Sequence, residues 1–312
     1  MLALSKVLII RSSREKIATP CAIALGNFDG IHLGHQQVLQ PILKGGAGVY
    51  STVVTFNPHP REFFSGEKKQ LLTPLEEKVE ILEGMGLKQL VSLPFDTGLA
   101  QLTPEQFVEN ILVKRLEAKT ISVGEDFRFG CQRSGNAGYL KTLGETYSID
   151  VTITRLKKEQ GMTRISSSLI RQALGEGNLS HARAMLGRPY VLIGKVVPGR
   201  QLGRKIGFPT ANLQLPADKL LPRLGVYMVW VEYGGEKIKG VMNIGYRPTV
   251  EGEGISVEVH LLDWCGDLYD RTLRVSLEGF LRPEKKFASI DDLIAQIGND
   301  CYRARELFQK SV

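Results

Sequence analysis

Residues 26–39 read GNFDGIHLGHQQVL and directly follow an apolar run, CAIAL, at residues 21–25. The apolar run predicts a buried strand, and the pattern from about Gly34 onward predicts a helix. A glycine-rich turn between a strand and a helix exposes backbone N–H groups at the positive end of that helix. The stretch therefore predicts an anion-binding loop, suited to phosphate, at the carboxyl end of a strand.

Two of the five histidines, His32 and His35, lie on this loop. Metal ligation would need a third ligand, which nothing nearby in the sequence supplies. General-base work would need an orienting carboxylate, and Asp29 is close but weak support. Imidazoles beside a phosphate loop can instead donate hydrogen bonds to oxygens that gain charge in a transition state. On these residues alone, simple packing at the junction of loop and helix stays open.

The first half of the chain alternates strand-like apolar runs with helical segments. The strand-like runs are CAIAL (21–25), VYSTVVTF (49–56), LVSLPF (90–95) and AKTISVG (118–124). Helical spacing covers about 75–85 and 104–117, and Pro41 should bend or end the helix after the histidine loop within two turns. This alternation predicts an α/β domain with a parallel sheet and helices on both faces.

The pattern changes after Gly187, where short strands dominate. Two strand-like runs flank Gly234-Gly235, which is the signature of a β-hairpin. Further strand-like runs are ISVEVHLL (255–262) and TLRVSLEGF (272–280). A helix is predicted from about Ile290 to Gln309, with Ser289 as its N-cap. We predict two domains, 1–186 and 187–312, the second an antiparallel barrel or sandwich with a terminal helix.

Composition indicates an ordinary globular protein of 312 residues with a formal charge of +7. The excess is spread evenly, with 22 Lys and Arg against 18 Asp and Glu up to residue 186, and 18 against 15 beyond it. That distribution suits small anions better than a nucleic acid duplex. No apolar run is long enough to span a membrane, and the start lacks the features of a secretory signal. Four dispersed cysteines without a CxxC pair indicate a reducing cytoplasm.

The usual nucleotide-binding signatures, GxxxxGK[ST] and a GxGxxG after a strand, are missing from the sequence. GNFDGIHLGH instead resembles the HxGH signature of nucleotidyltransferases, in the long form typical of bacterial bifunctional riboflavin kinase/FMN adenylyltransferases. Further matching motifs in the first half are TFNPHP (55–60), LLTPLEEK (71–78), VGEDFRFG (123–130) and ISSSLIR (165–171). Those in the second half are GRKIGFPTAN (203–212), GVY (225–227), NIGYRPTV (243–250), VEVHLLDW and DLYD (257–270), and LRPEKKF (281–287).

The resemblance spans nearly the whole chain in one collinear order, which favours a functional role for the two histidines. It implies a Rossmann-like nucleotidyltransferase domain followed by an antiparallel β-barrel riboflavin kinase domain with a C-terminal helix. It also implies a bifunctional transferase that phosphorylates riboflavin to FMN and adenylylates FMN to FAD, releasing pyrophosphate. The resemblance further implies ATP as the co-substrate and Mg²⁺ as the cofactor, and we expect no nucleic acid, membrane or obligate protein partner.

For adenylyl transfer, the resemblance implies that His32 and His35 are catalytic. It assigns ATP and phosphate binding to Gly26, Asn27, Phe28, Asp29, Gly30, His32, His35, Ser167 and Arg171. Residues Ser166 to Ser168 would also make a good helix N-cap. The resemblance places flavin and nucleotide near His59, Asp126, Phe127 and Arg128. From its residue chemistry alone, His59 between two prolines is equally well a turn histidine.

Riboflavin phosphorylation starts from a neutral hydroxyl, so a carboxylate base is expected. Strand alternation places Ser256, Glu258 and His260 on one face of ISVEVHLL, where a lone acid suits a solvent-facing strand. The resemblance aligns Glu258 with the catalytic base. It also implies that Thr210 and Asn212 hold Mg²⁺ and that Arg282 contacts the flavin. The implied residues for ATP and phosphate in this domain are Gly203, Lys205, Gly207, Pro209, Thr210 and Asn212.

Two positions depart from the family pattern. Asn136 stands where relatives often carry Asp, and Pro198 stands where they often carry His, for which we expect only a stiffer loop. Two rival functions remain. One is an adenylyltransferase with a non-catalytic barrel, which the PTAN motif and Glu258 argue against. The other is a flavin- or DNA-binding regulator using residues 166–187, which the even charge distribution argues against.

Overall fold

The computed structural model describes residues 7–12, 15–44, 46–155, 165–199, 202–249 and 252–310. The chain packs as two compact units, Met1–Ser167 and Ser168–Val312. Within the part of the chain that the structure describes, no helix combines the length and apolarity needed to cross a membrane.

The first unit is built on a parallel sheet. Its strands are β1 (Leu8–Ile10), β2 (Cys21–Leu25), β3 (Tyr50–Asn57), β4 (Gln89–Pro94), β5 (Ala118–Gly124) and β8 (Asp150–Thr154), with β6 (Arg128–Phe129) and β7 (Gly135–Asn136) forming a separate antiparallel ribbon. The sheet order is β1-β4-β3-β2-β5-β8, and all its neighbouring pairs are parallel. Chain order therefore reverses beside β2, which is where open parallel sheets bind ligands.

Helices cover both faces of this sheet, as predicted. They are α1 (Leu33–Leu43), α2 (Pro60–Ser65), α3 (Leu75–Gly84), α4 (Thr97–Gln101), α5 (Pro104–Phe107) and α6 (Ala137–Thr146). Strand β2 is buried on both faces: Ile23 and Leu25 enter one core layer, and Ala22 and Ala24 enter the other. The parallel Rossmann-like architecture is confirmed.

Two helices differ in detail from their sequence patterns. Helix α1 continues through Pro41 and ends two residues later, so the proline lies in the last turn. The segment predicted as one helix over 104–117 begins with α5 and continues as a π-helical turn, Val108–Val113. Thr103 starts it with a capping box, in which Thr103 and Gln106 exchange side-chain and backbone hydrogen bonds.

The second unit contains a closed antiparallel barrel. Of the two architectures predicted from the sequence, the barrel is therefore correct and the sandwich is not. Its strands are β9 (Tyr190–Val197), β10 (Ala211–Gln214), β11 (Gly225–Tyr233), β12 (Glu236–Thr249), β13 (Gly252–Leu261) and β14 (Thr272–Pro283), in the order β10-β13-β12-β11-β14-β9. Gly234 and Gly235 form the predicted hairpin turn, with φ values of 61° and 85°. Helix α10 (Ile290–Lys310) packs Cys301, Ala304 and Phe308 against the barrel.

Two further helices, α7 (Ser167–Glu176) and α8 (Leu179–Leu186), precede the barrel. Helix α8 packs on β9 and β14, and its Arg183 forms an ion pair of 2.7 Å with Glu278 on β14. The backbone N–H of Arg223 donates to the carbonyl of Leu174 over 2.9 Å. The sequence predicts a domain boundary after residue 186, and that boundary stays a prediction. The contacts of α7 and α8 with the barrel unit allow it to be tested.

We expect a fragment of residues 168–312 to unfold at a higher temperature than one of residues 187–312. The shorter fragment loses the buried side chains of α8, and each large apolar side chain contributes about 1.5–3 kcal/mol when fully buried. Thermal unfolding followed by circular dichroism measures the difference. Equal unfolding temperatures would show that α7 and α8 do not stabilise the barrel.

Candidate functional site

The loop between β2 and α1 lies at the carboxyl end of the central strand. Phe28, Gly30 and Ile31 have φ values of 48°, 94° and 40°. A β-branched residue at positive φ is a true outlier, which persists only where its surroundings hold it. Phe28 and Ile31 are fully buried, so packing holds this backbone. The loop is thus a tightly fixed turn, as a preformed anion site requires.

A second chain segment holds the loop through the carboxylate of Asp29. Oδ1 of Asp29 accepts the N–H groups of Leu72 and Thr73 over 2.8 and 3.3 Å. The hydroxyl of Thr73 accepts the N–H of Gly30 over 2.9 Å, and the hydroxyl of Ser167 donates to the carbonyl of Asp29 over 2.7 Å. The structure therefore brings Asp29, Gly30 and Ser167 together, with the Asp29 carboxylate ordering the loop.

The two histidines stack at the start of α1. Nδ1 of His32 accepts the backbone N–H of His35 over 3.2 Å, so His32 is the N-cap of the helix. The ring centroids lie 3.6 Å apart, and the edge of Phe28 packs on His35. Because Nδ1 of His32 accepts a hydrogen bond, Nε2 carries the proton of the neutral ring and is a donor. This geometry suits donation to an anion.

A metal site at the loop gains no support from the structure. Within the described ranges, no group of three His, Cys, Asp or Glu residues is placed to hold a metal ion. Of the alternatives left open by the sequence, hydrogen bonding to phosphate fits the imidazole geometry best.

A buried lysine, Lys78 on α3, completes the underside of the loop. Its Nζ donates to the carbonyl of Asn27 over 2.8 Å, and Thr55 donates to the same oxygen over 3.4 Å. Burial lowers the pKa of Lys78 to about 8; the charge of Asp29 opposes this shift, and that of Lys69 adds to it. Lys78 lies in the motif LLTPLEEK, and its role was missed because its partner, Asn27, is distant in the sequence.

His59 caps the short helix α2. Its Nδ1 accepts the N–H of Arg61 over 3.0 Å, and its Nε2 lies 3.1 Å from Nζ of Lys69. The turn role considered for this histidine is therefore present. Contact with flavin or nucleotide stays a prediction.

The segment after β5 lies at the same sheet edge as the loop after β2. The N–H of Phe127 donates to the carbonyl of Gly124 over 3.0 Å, and the Phe127 ring stacks on Phe129. Arg128 pairs with Asn136 in the β6–β7 ribbon. Asp126, Phe127 and Arg128 thus lie where parallel sheets bind ligands, whereas Arg171 lies on α7.

On the barrel, Glu258 stands in a row of polar residues on three adjacent strands. It is in register with Asn212 on β10 and with Asn243 on β12. Directly opposed residues in antiparallel strands share one face, so the three side chains are neighbours. The hydroxyl of Thr210 donates to Oε2 of Glu258 over 3.3 Å. Asn243 was missed, because its register with Glu258 depends on the pairing of β12 with β13, which the sequence pattern did not predict.

A glycine-rich loop packs directly on this row. A Cβ at Gly199 would collide with the amide group of Asn212, so a larger residue would displace that side chain. Gly203 and Lys205 lie on α9 (Leu202–Lys205), and the carbonyl of Gly203 accepts the N–H of Phe208 over 2.8 Å. Gly199 therefore lies against Asn212, and Gly203 lies beside the hydroxyl of Thr210. Gly207 follows at a φ of 88°, and the carbonyl of Pro209 lies 2.8 Å from Nδ1 of His260.

Arg282 on β14 is held by a buried carboxylate. Its Nε and one terminal nitrogen bind Asp300 of α10 over 2.8 to 3.0 Å, and Gln296 donates to the same carboxylate. Asp300 is only 5% exposed, so the pair fixes the guanidinium. The role of Arg282 toward flavin stays a prediction. Its partner could not be found by spacing, since Asp300 lies on a separate element.

The fold and the two clusters define a class of protein: a two-domain transferase that joins a nucleotidyltransferase sheet to a kinase barrel. Residues 14–169 match the FAD synthetase family model, and residues 186–308 match the riboflavin kinase model. The chain belongs to the family of bifunctional riboflavin kinase/FMN adenylyltransferases, which confirms the resemblance drawn from its motifs.

Relatives with that name align along nearly their whole length. The protein of Escherichia coli (strain K12) is 44% identical over 292 residues, covering 92% of this chain and 93% of the relative. That of Pseudomonas fluorescens is 40% identical over 290 residues, with coverage of 92% and 93%. A crystal structure from Streptococcus pneumoniae, described as a macrolide-efflux protein, has a TM-score of 0.84 and 31% identity, covering 96% of this chain and 99% of that one.

Asn136, which departs from the family pattern, has a structural role in this chain. Asn136 is the N-cap of α6, where its Oδ1 accepts the N–H of Tyr139 over 2.8 Å. Because Asn and Asp cap equally well, Asn136→Asp should leave the free energy of unfolding nearly unchanged, whereas Asn136→Ala should lower it by about 1 kcal/mol. Urea unfolding of both variants measures this. An alanine variant as stable as the wild type would contradict the capping role.

Proposed function

We propose that this chain phosphorylates riboflavin to FMN and adenylylates FMN to FAD, using ATP in both reactions. The observation that carries the proposal is the pairing of two sites of different chemistry on one chain. One is a phosphate loop with stacked histidines, and the other is Glu258 hydrogen-bonded to Thr210 beside a glycine-rich loop. Membership of the bifunctional family supports both activities.

Adenylyl transfer needs positioning and charge stabilisation. The attacking oxygen of FMN is already anionic, so no base has to remove a proton. It attacks the α-phosphorus of ATP and expels pyrophosphate. In our proposal the loop at the start of α1 binds the phosphates, while His32 and His35 donate to oxygens that gain charge in the transition state. Ser167, already bonded to the carbonyl of Asp29, supports the loop from one side.

Riboflavin phosphorylation needs a base, because the attacking 5′-hydroxyl is neutral. We assign this role to Glu258, which would accept the proton as the hydroxyl oxygen attacks the γ-phosphorus of ATP. Its half-buried position between Asn212 and Asn243 keeps the carboxylate fixed on the strand. The hydrogen bond from Thr210 orients it further.

Mg²⁺ fits the residues beside Glu258. Hydroxyl and amide oxygens are hard ligands of the kind that Mg²⁺ prefers, and Thr210 and Asn212 supply one of each next to a carboxylate. When bound, the ion would neutralise charge on the ATP phosphates. We propose that Thr210 and Asn212 hold it and that Gly203, Lys205, Gly207 and Pro209 enclose the phosphates.

The remaining residues are assigned to contacts with the substrates. We propose that Arg171 contacts the triphosphate, that His59, Asp126, Phe127 and Arg128 contact flavin or nucleotide, and that Arg282 contacts riboflavin. Support comes from the sheet edge after β5 and from the family motifs that contain these residues. A cytoplasmic location and independence from nucleic acid, membrane and obligate protein partners remain predictions from the sequence.

Reciprocal variants test the two assignments together. Glu258→Gln keeps the shape of the side chain and cannot accept a proton, so riboflavin phosphorylation should fall by about 10²–10⁴. His35→Ala removes a transition-state donor, so FMN adenylylation should fall by about 10²–10³. Each variant should keep the other activity. Chromatographic separation of flavins, starting from riboflavin or from FMN, measures both.

Glu236→Gln supplies the matched control, because Glu236 is an exposed carboxylate on β12 away from the polar row. It should retain both activities. Near-normal FMN formation by Glu258→Gln would leave that residue a solvent-facing strand position and reject it as the base. Joint loss of both activities in either folded variant would reject the two-site assignment.

A further inference from the structure

The segment 71–78, with the sequence LLTPLEEK, contacts the phosphate loop through three of its residues. Leu72 and Thr73 bind the carboxylate of Asp29, and Thr73 also binds Gly30. Lys78, one turn into α3, binds the carbonyl of Asn27. None of these contacts is local in sequence, so the segment acts as a separate support for the loop.

Lys78 is an unusual choice for a structural support. It is 7% exposed, and the only hydrogen bond of its ammonium among the described residues is the one to a neutral carbonyl. Burying a cation with so few partners is costly, and a neutral donor could hold the same carbonyl at lower cost. Since a neutral donor could make the same hydrogen bond, a functional requirement better explains the buried ammonium of Lys78.

We propose that Lys78 is a positioning residue for adenylyl transfer, fixing the Asn27 carbonyl and placing a positive charge beneath the phosphate loop. The inference rests on the proposed adenylyltransferase function of that loop. An ammonium has three donors, of which the described residues use one, so it keeps hydrogen-bonding capacity beyond the Asn27 carbonyl. A substrate with several phosphate charges would be stabilised by it at short range.

The charged groups around Lys78 give this role a pH signature. Asp29 faces it from the loop and Lys69 faces it from the segment before α3, where Lys69 also contacts His59. Burial sets the pKa of Lys78 at about 8, below its ordinary value of 10.5. The charge is therefore present at pH 7 and lost as pH rises through about 8. An arginine at this position would keep its charge across that range.

The test compares Lys78→Met and Lys78→Arg with the wild type across pH 6.5 to about 9.5. Lys78→Met should lower kcat/KM for FMN adenylylation by about tenfold to a hundredfold at pH 7, because small misplacements of a catalytic loop have effects of this size. Riboflavin phosphorylation should be unchanged. The kcat/KM of the wild type should fall above pH 8, whereas that of Lys78→Arg should not. The kcat/KM of Lys78→Met, already low, should show no such fall with pH.

Lys119→Met is the matched control, since Lys119 is an exposed lysine on β5. It should behave as wild type. The proposal is overturned if Lys78→Met is within twofold of wild type, or if the wild-type and Lys78→Arg profiles coincide. If Lys78→Arg does not fold, the proposal is overturned instead by a fall in kcat/KM near pH 8 that persists in Lys78→Met. A wild-type protein that makes no FAD from FMN would reject the adenylyltransferase function itself.

Discussion

The hydrogen bonds of the Asp29 carboxylate are the constraint on which the N-terminal site depends. They join the loop after β2 to Leu72 and Thr73, which lie more than forty positions along the chain. The loop contains a β-branched residue at positive φ and would not keep that shape unaided. Once Asp29 is held, Gly30 is fixed through Thr73, and the helix that His32 caps begins at a defined point.

The two units address two phosphate reactions with different requirements. In the first, the nucleophile is already charged, and the site offers imidazoles and a buried ammonium. Its nearest carboxylate, Asp29, already accepts two backbone hydrogen bonds. In the second, the nucleophile is neutral, and Glu258 is a half-buried carboxylate with Thr210 as its hydroxyl partner. The difference in side chains follows from the difference in charge of the attacking oxygen.

Local pattern predicted the elements of the fold well. The run CAIAL became the buried central strand, and Gly234-Gly235 became the turn of the hairpin. These features depend on residues adjacent in sequence, whose periodicity and conformational preferences act directly. The choice of barrel over sandwich was not predictable in this way, because closure depends on the pairing of β9 with β14 and of β10 with β13, strands that lie far apart in the sequence.

The candidate sites were predictable as positions and only partly as roles. Motifs located the loop and Glu258, while the function of Asp29 as a clamp, the burial of Lys78 and the pairing of Arg282 with Asp300 emerged only in three dimensions. Each of these contacts joins residues on different elements. Spacing along a chain carries no information on such contacts, so a motif can identify a residue without assigning its partner.

In our proposal, two self-contained sites act in sequence on one flavin. Mixing His35→Ala with Glu258→Gln tests it most directly, with riboflavin, ATP and Mg²⁺ supplied and FAD measured by chromatography. Neither variant alone should form FAD from riboflavin. The mixture should form FAD, because FMN made by the barrel of one molecule reaches the intact loop of the other. A mixture as inactive as its separate components would contradict it.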